Sequence, residues 1–310
     1  MSVIVCGSVA YDNLMGFEGN FGDYILPDQI HILSVAFTVP NLRKEFGGCA
    51  GNIAYNLKLL EMDPIINAAV GQDFETYYQW LQQNDISTDN IKVIEDKYTP
   101  QCFITTDANN NQLTSFHPGA MDDSHLNPIP DRNDIEIAII APDGKLGTIR
   151  HAEEIHQRNI PLIFDPGQGI VLFNKEEISK LVGMADYVVL NEYESTLLAE
   201  IMGEDITEIA KTLKAAVVTK GANGSDILVG DDLIHIEPIS VENEADPTGC
   251  GDAYRSGLIY GIVYDLTWEQ TGKLGSILGA IKVSHNGTQN HSFIMEELQK
   301  LKFLSFIILA

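Results

Sequence analysis

The residues best suited to chemistry lie in a glycine-rich run, Asp246 to Asp252 (DPTGCGD), which leads into a long apolar segment. The pattern predicts that the backbone N–H groups of Gly249, Cys250 and Gly251 point along the start of a helix. Unpaired backbone N–H groups and the positive end of the helix dipole form an anion site there. Asp252 would lie beside that anion, as a helix cap or as the base for a hydroxyl that attacks phosphorus. The complete seven-residue run favours the base.

A second glycine-rich stretch, Phe46 to Asn52 (FGGCAGN), opens another predicted helix. Gly47 and Gly48 permit close backbone approach or a positive φ angle. Asn52 carries both a donor and an acceptor, which suits the recognition of sugar hydroxyls. Taken alone, the stretch also fits a turn that binds nothing.

Asp12 follows the first predicted strand, Val3 to Val5, within the sequence GSVAYDN. Residues just beyond the carboxyl end of a parallel strand line the usual ligand crevice. A carboxylate there can accept hydrogen bonds from two adjacent sugar hydroxyls. The alternative is an aspartate that bonds its own turn.

Two further stretches are ambiguous from spacing alone. Asn191 and Glu194 share a helix face and could hold a hydrated Mg²⁺, but the same spacing is typical of a capping box, which is the favoured interpretation. The segment Thr219 to Gly224 (TKGANG) fits either a plain turn or a loop that contacts a nucleotide.

Short apolar strands alternate with amphipathic helices along most of the chain, which predicts an α/β fold with a doubly wound, mostly parallel sheet. Predicted strands span residues 3–5, 64–70, 135–141, 161–164, 187–190 and 215–219. Predicted helices span residues 50–60, 74–83, 146–158, 176–182, 192–202, 253–264 and 268–283. We therefore expect one domain over residues 1–310.

Residues 13–46 and 98–118 lack this rhythm. Alternating segments within them, Gln29 to Thr38 and Gln101 to Thr106, predict a small β-sheet. A sheet that stands off an α/β core is well placed to act as a lid.

Composition excludes several classes of protein. The 310 residues include 19 Lys and Arg against 44 Asp and Glu, a net charge of −25. Such a surface repels nucleic acids and anionic membranes. Four scattered cysteines indicate neither a disulfide framework nor a zinc site, and the absence of a signal peptide or a long apolar run favours the cytoplasm. The apolar end of the chain, LKFLSFIILA, fits a packed strand, a packed helix or a tail.

Other catalytic patterns are missing from the sequence. There is no G-x-S-x-G of a serine hydrolase, no P-loop, no G-x-G-x-x-G after the first strand and no histidine pair with metal-ligand spacing. The glycine-rich runs therefore remain the main indication of function.

Together the two runs resemble a known family. DPTGCGDAYRSG is similar to the carboxyl-terminal motif of the ribokinase-like carbohydrate kinases, and FGGCAGNIAYNLKLL is similar to their amino-terminal motif. They lie about as far apart as that superfamily places them, and the resemblance covers nearly the whole chain. It implies an ATP-dependent kinase that phosphorylates a hydroxymethyl group.

The resemblance also implies roles for single residues. Asp252 would be the catalytic base, with Gly249, Cys250 and Gly251 as the anion hole. Cys250 stands where the family has a smaller residue, which leaves its N–H available.

The substrate side of the resemblance has its own residues. Asp12 would bind the sugar, with Gly47, Gly48 and Asn52 beside it.

The nucleotide side follows in the same way. Asn191 and Glu194 would act on ATP, with Glu194 holding Mg²⁺ through water. The adenine would lie near residues 221–224 and 286–291. The implied ATP contacts there are Thr219, Gly221, Gly224 and Asn286. Asp246 matches a position that holds a monovalent cation in some members, and K⁺ is the cation that this match suggests.

Within the superfamily, SVAYDN, the segment before residue 52 and Gly287 to His291 most resemble bacterial adenosine-kinase-like members. Adenosine phosphorylated to AMP is the favoured reaction. A ribose- or fructose-type sugar kinase and a non-catalytic sensor of nucleosides or sugars stay open. Phe37, Phe103 and Phe116 are aromatic candidates for the base, with Phe116 preferred, and the chain would be a monomer or a homodimer.

Overall fold

The computed structural model describes residues 1–25 and 31–300. Its strands are β1 Ser2–Cys6, β2 Ala10–Gly16, β3 Asn41–Gly47, β4 Asp63–Gly71, β5 Ile91–Ile94, β6 Gln101–Thr106, β7 Gln112–His117, β8 Ile135–Ile140, β9 Leu162–Phe164, β10 Tyr187–Asn191, β11 Ala215–Thr219, β12 Ser225–Val229 and β13 Asp232–Ile236. Its helices are α1 Cys49–Leu59, α2 Glu75–Gln83, α3 Lys145–Gln157, α4 Lys175–Met184, α5 Glu192–Met202, α6 Ile206–Ala210, α7 Cys250–Val263, α8 Trp268–Val283 and α9 Met295–Lys300.

The large sheet has the strand order β13-β12-β11-β10-β9-β8-β1-β4-β5 within the described residues. Seven strands of this sheet run parallel, namely β11, β10, β9, β8, β1, β4 and β5. Strands β12 and β13 add an antiparallel edge. The chain builds outward from β1 to β4 and β5, then continues from β8 on the other side of β1. Such a reversal of strand order opens a crevice at the carboxyl ends of the central strands.

Alternation along β1 explains why helices cover both faces of this sheet. Val3 and Val5 are fully buried in the cluster that includes α1, α7 and α8. Ile4 and Cys6 point the other way, into the cluster that includes α3 and α4. Burying both faces requires the near-continuous apolar strands on which the prediction of a doubly wound α/β fold was based. That prediction is confirmed.

A separate small sheet has the order β3-β2-β6-β7. Asp12 on β2 lies opposite Glu45 on β3 and Cys102 on β6, and Cys102 lies opposite Phe116 on β7. Directly opposed residues share a face of a sheet. The four side chains therefore lie on one face, and the predicted small sheet is confirmed.

One predicted strand of this sheet is wrong. Of Gln29 to Thr38, residues 29–30 lie outside the described residues, and 31–38 are not a strand. The strand lies later, at β3. Phe37 packs instead against the rings of Phe17 and Phe21. Its apolar side chain is partly buried by this local aromatic cluster rather than by strand pairing, and the alternating pattern cannot distinguish the two.

The other predicted strands and helices match observed elements to within a few residues, with α7 beginning earlier, at Cys250. The apolar end, residues 301–310, lies outside the described residues. Among residues 1–25 and 31–300, the helices are too short or too polar to span a bilayer.

Helices α7 and α8 pack at very close range, because Gly257 faces Gly275. A Cβ at Gly257 would lie 2.7 Å from the backbone N and Cα of Gly275. The backbone of Gly275 cannot move aside as the end of a flexible side chain could.

We therefore expect Gly257→Ala to lower the free energy of unfolding by about 1–3 kcal/mol through overpacking. Gly183→Ala, at an exposed position of α4, is the matched control because a Cβ there meets nothing within 4 Å. It should leave stability unchanged or raise it by up to about 1 kcal/mol. Urea denaturation of both variants tests this, and equal stabilities would contradict it.

Candidate active site

Helix α7 begins in the crevice with a glycine in the left-handed region. Gly249 is its N-cap, with φ +80° and ψ 0°, and Asp252 lies in the first turn. The N–H of Cys250 donates to the carbonyl of Pro247 over 3.2 Å, a long bond that a phosphate oxygen would compete with. The helix start thus presents backbone N–H groups among small residues, the arrangement in which helices bind anions, and an anion site here stays a prediction.

Asp252 is buried beside this site and held by α1. The side-chain amide of Asn52 donates to its Oδ2 over 2.8 Å, and the Cys49 thiol also bonds the carboxylate. Burial raises the pKa of Asp252 to about 6, and the Arg255 guanidinium and the Asn52 bond oppose that rise. A carboxylate with its pKa close to neutral is well matched to a general base.

Asn52 bonds Asp252 in this structure, and its predicted contact with a sugar hydroxyl stays a prediction. Its amide nitrogen bonds Asp252, and its Oδ1 accepts from Gln289 over 3.0 Å. Gln289 also donates to the Tyr77 hydroxyl over 2.6 Å and accepts from the Trp80 indole over 2.8 Å. Both ends of the Asn52 amide are used within the protein, so Asn52 orients Asp252.

A buried ion pair supports Asp252 from its own helix. Arg255, one turn further along α7, donates through Nη2 to Asp165 Oδ1 over 2.7 Å, and its Nε lies in ion-pair contact with Oδ2. Both side chains are almost completely buried. Sequence reasoning missed this pair. An aspartate directly after the buried strand β9 was the available signal.

The small sheet places Asp12 over the same crevice. Burial, and then the charges of Asp252, Asp246 and Glu45, raise the pKa of Asp12 to about 7. Gly47 leaves room for this carboxylate, since a Cβ there would overlap it. Asp12 and Asp252 are therefore brought together, as predicted.

Gly48 is the N-cap of α1, with φ +84°. A side chain at this position would also collide with the backbone of Ser8 and Ala10. Only glycine fits where α1 begins against the loop after β1.

The three aromatic residues predicted as candidates to contact the base lie in different places in the structure. Phe116 is 49% exposed on the face of the small sheet that carries Asp12. Phe103 lies one residue beyond Cys102 and points to the opposite face. Phe37 belongs to the local aromatic cluster described above. Phe116 is thus the candidate that faces the crevice.

A cavity of about 280 Å³ adjoins the anion site. It is lined by Thr219, Gly221 and Gly224 from the β11–β12 turn and by Cys250, Gly251 and Tyr254 from α7, among others. The predicted nucleotide loop and the predicted anion hole therefore line one space. Asn286 does not line it. That residue is exposed, and its carbonyl accepts a bond from Asn290.

Asn191 and Glu194 form a capping box at the start of α5. Each accepts the other's backbone N–H, over 2.8 Å in both directions. Glu194 is buried, and burial raises the pKa of its carboxyl group. The charge of Asp165 also raises this pKa, and that of Arg255 lowers it. The box uses Oε2, and a carboxylate beside the crevice fits the water-mediated contact that Mg²⁺ takes with few protein ligands.

Both oxygens of the Asp246 carboxylate already accept hydrogen bonds from backbone N–H groups. Its Oδ1 accepts from Thr248 N over 2.9 Å and its Oδ2 from Gly287 N over 3.0 Å, which lower its pKa against the effect of burial. Within residues 1–25 and 31–300, no three His, Cys, Asp or Glu side chains are grouped as metal ligands. Both carboxylate oxygens at the predicted monovalent-cation position thus already accept a backbone N–H, and a cation there stays a prediction.

Comparison with known proteins agrees with this geometry. Residues 20–294 match the pattern described as pfkB family carbohydrate kinase. The nucleoside kinase of Methanocaldococcus jannaschii is 30% identical over 274 residues, which cover 86% of this chain and 90% of that protein.

Solved structures give the same picture. The nucleoside kinase of Burkholderia thailandensis in complex with inosine has a TM-score of 0.88 and 41% identity, covering 96% of this chain and 95% of that one. In complex with ADP-inosine, it has a TM-score of 0.85 and 43% identity, covering 96% and 93%. A ribokinase from Thermotoga maritima has a TM-score of 0.77, 19% identity and coverage of 98% and 99%, a likeness of fold.

The Asp165–Arg255 pair gives a prediction about stability. Arg255→Met leaves a buried carboxylate unpaired and should cost about 3–5 kcal/mol, as should Asp165→Asn, which leaves the guanidinium unpaired. The double variant should cost clearly less than the sum of the two. Lys180→Met, which breaks the exposed pair with Glu153, is the control and should cost at most about 1 kcal/mol. Additive losses in urea denaturation would contradict a coupled pair.

Proposed function

Because the chain belongs to the PfkB family of carbohydrate kinases, we propose that it transfers the γ-phosphate of ATP to the 5′-hydroxyl of a purine nucleoside. The observation that carries the proposal is the position of Asp252. Its buried carboxylate lies at the start of α7, between the crevice under Asp12 and the cavity behind Gly251. A base at that boundary can reach an acceptor on one side and a phosphate on the other.

The nucleoside side begins with Asp12. Its carboxylate can accept both ribose hydroxyls, and the absence of a side chain at Gly47 leaves room for that carboxylate. Phe116, half exposed on the same face, offers a ring on which a base can stack. The nucleoside kinases among the relatives, one of them bound to inosine, support this acceptor. Adenosine stays a prediction within this class.

The proton leaves through Asp252. In its ionised form it takes the 5′-hydroxyl proton as the oxygen attacks the γ-phosphorus in line. Asn52 donates to Oδ2, which fixes the carboxylate and leaves Oδ1 for the substrate. Positioning of this kind provides most of the rate in phosphoryl transfer.

The phosphate side uses the backbone. The N–H groups at Gly249, Cys250 and Gly251, with the dipole of α7, meet the negative charge on the transferred phosphoryl group. Thr219, Gly221 and Gly224 line the cavity where the rest of ATP fits. Mg²⁺, held through water near Glu194, would neutralise phosphate charge when bound.

The small sheet acts as the lid in this proposal. It already touches the core at the segment after α8, where Thr288 Oγ1 donates to the Phe46 carbonyl and Asn290 donates to Glu45 over 3.0 Å. Closure excludes water, which would otherwise hydrolyse ATP.

The acceptor is tested by ADP release from MgATP with adenosine, inosine, guanosine, cytidine, ribose, fructose and fructose 6-phosphate. We expect purine nucleosides to exceed cytidine and the free sugars at least about tenfold in kcat/KM, because only they provide both a ribose for Asp12 and a large base for Phe116. Turnover of free sugars alone would instead establish a sugar kinase. Nucleoside binding without turnover would establish a sensor.

The base is tested by Asp252→Asn, which keeps the Asn52 contact but cannot accept a proton. We expect kcat to fall by about 10²-fold or more, while ADP binding and thermal stability change little. Asp231→Asn, on the exposed β12–β13 turn, is the control and should retain wild-type turnover.

The pH profile provides an independent readout of the same residue. Since the pKa of Asp252 is raised to about 6, its charged form is lost as the pH falls through that value, and kcat should fall with it. The residual rate of Asp252→Asn should lack this limb. A wild-type rate that is flat from pH 8 to about pH 5 would exclude Asp252 as the base.

A further inference from the structure

A lysine without exposed surface lies beneath the loop that precedes the anion site. Lys282, in the last turn of α8, is completely buried. Its ammonium donates to the backbone carbonyl of Asp246 over 2.6 Å and to that of His285 over 3.1 Å. Lysines are almost never fully buried unless their charge is paired, so this one needs a reason.

The loop above Lys282 is tied to the end of α8. The N–H groups of Ala245 and Asp246 both donate to the carbonyl of Val283, over 2.8 and 3.1 Å. The Asp246 carboxylate adds a further bond between the same two segments, because it accepts a hydrogen bond from the N–H of Gly287. Lys282 lies where these bonds join the loop at residues 245–246 to the end of α8. The position of Lys282 therefore determines the position of residues 245–248, which lead into Gly249 and the anion site.

The surroundings of the ammonium consist of oxygen and negative charge. Two carbonyls bind it directly, and the last turn of α8 presents the negative end of the helix dipole. Burial lowers the pKa of Lys282, whereas the Asp246 carboxylate opposes that change. A compact point charge among backbone carbonyls is also the arrangement in which proteins hold monovalent cations.

We propose that the Lys282 ammonium is a built-in monovalent cation, which holds the loop before Gly249 in its phosphate-binding geometry and makes added K⁺ unnecessary. The inference rests on the proposed kinase function. Lys282 acts through the loop and is a positioning residue. A K⁺ bound at the Asp246 carbonyl would lie beside the Lys282 ammonium, which already binds that oxygen over 2.6 Å, and the two like charges would repel each other.

The first test needs no variant. The wild-type protein is assayed with MgATP and inosine or adenosine, in tetramethylammonium buffer and in K⁺ buffer. We expect kcat to differ by less than about twofold. Severalfold activation by K⁺ would overturn the inference. Turnover with neither nucleoside in either buffer would instead count against the proposed function, so the two failures are distinguishable.

The second test removes the charge while keeping the chain length. In tetramethylammonium buffer, Lys282→Met should lower kcat/KM for ATP by about tenfold or more, with KM for the nucleoside little changed. K⁺ or NH₄⁺ should recover at least about threefold of that loss. Lys273→Met, which removes a partly exposed charge from the same helix, is the control and should show no cation dependence.

A binding readout separates positioning from general damage. Calorimetric titration with ADP should show weaker binding to Lys282→Met, and K⁺ should strengthen it, whereas the wild-type affinity should be the same in both buffers. Full activity of Lys282→Met without K⁺ or NH₄⁺ would overturn the inference. So would a folded variant whose loss neither cation changes. If Lys282→Met does not fold, the wild-type comparison still decides.

Discussion

The hydrogen bond between Asn52 and Asp252 joins the first turns of two helices that are 200 residues apart in the chain. Each of these helices begins at a glycine with positive φ, so both starts enter the crevice at close range. Burial between them raises the pKa of Asp252, and the amide fixes one carboxylate oxygen. The anion site, the nucleotide cavity and the small sheet are then arranged around a single poised carboxylate.

Much of this architecture could be predicted from local sequence. Strands such as β1 are apolar on both faces, which indicates a covered parallel sheet, and the run before Asp252 places small residues at a helix start. Such features depend on neighbours in sequence, and so they can be recognised without the fold. The prediction that failed, a strand within Gln29 to Thr38, concerned apolar residues whose partners are a local aromatic cluster.

The remaining parts of the site depend on contacts between distant segments. Nothing near Asn52 indicates that Gln289 would occupy its acceptor, and nothing near Arg255 indicates Asp165 as its partner. The buried ammonium of Lys282 is similar, because its ligands are backbone carbonyls, which no residue type identifies. Buried polar groups must be satisfied, but the sequence does not specify which segment supplies the partner.

The short segment after α8 contacts both halves of the crevice. Thr288 bonds the Phe46 carbonyl on the small sheet, and its side chain lies where a Cβ at Gly249 would reach. A tilt of the small sheet would therefore move Thr288, which lies next to the start of α7. The two substrates are expected to influence each other's affinity, and thermodynamic linkage requires the same factor in both directions. One threonine shared by two sites would then make the binding of the two substrates cooperative.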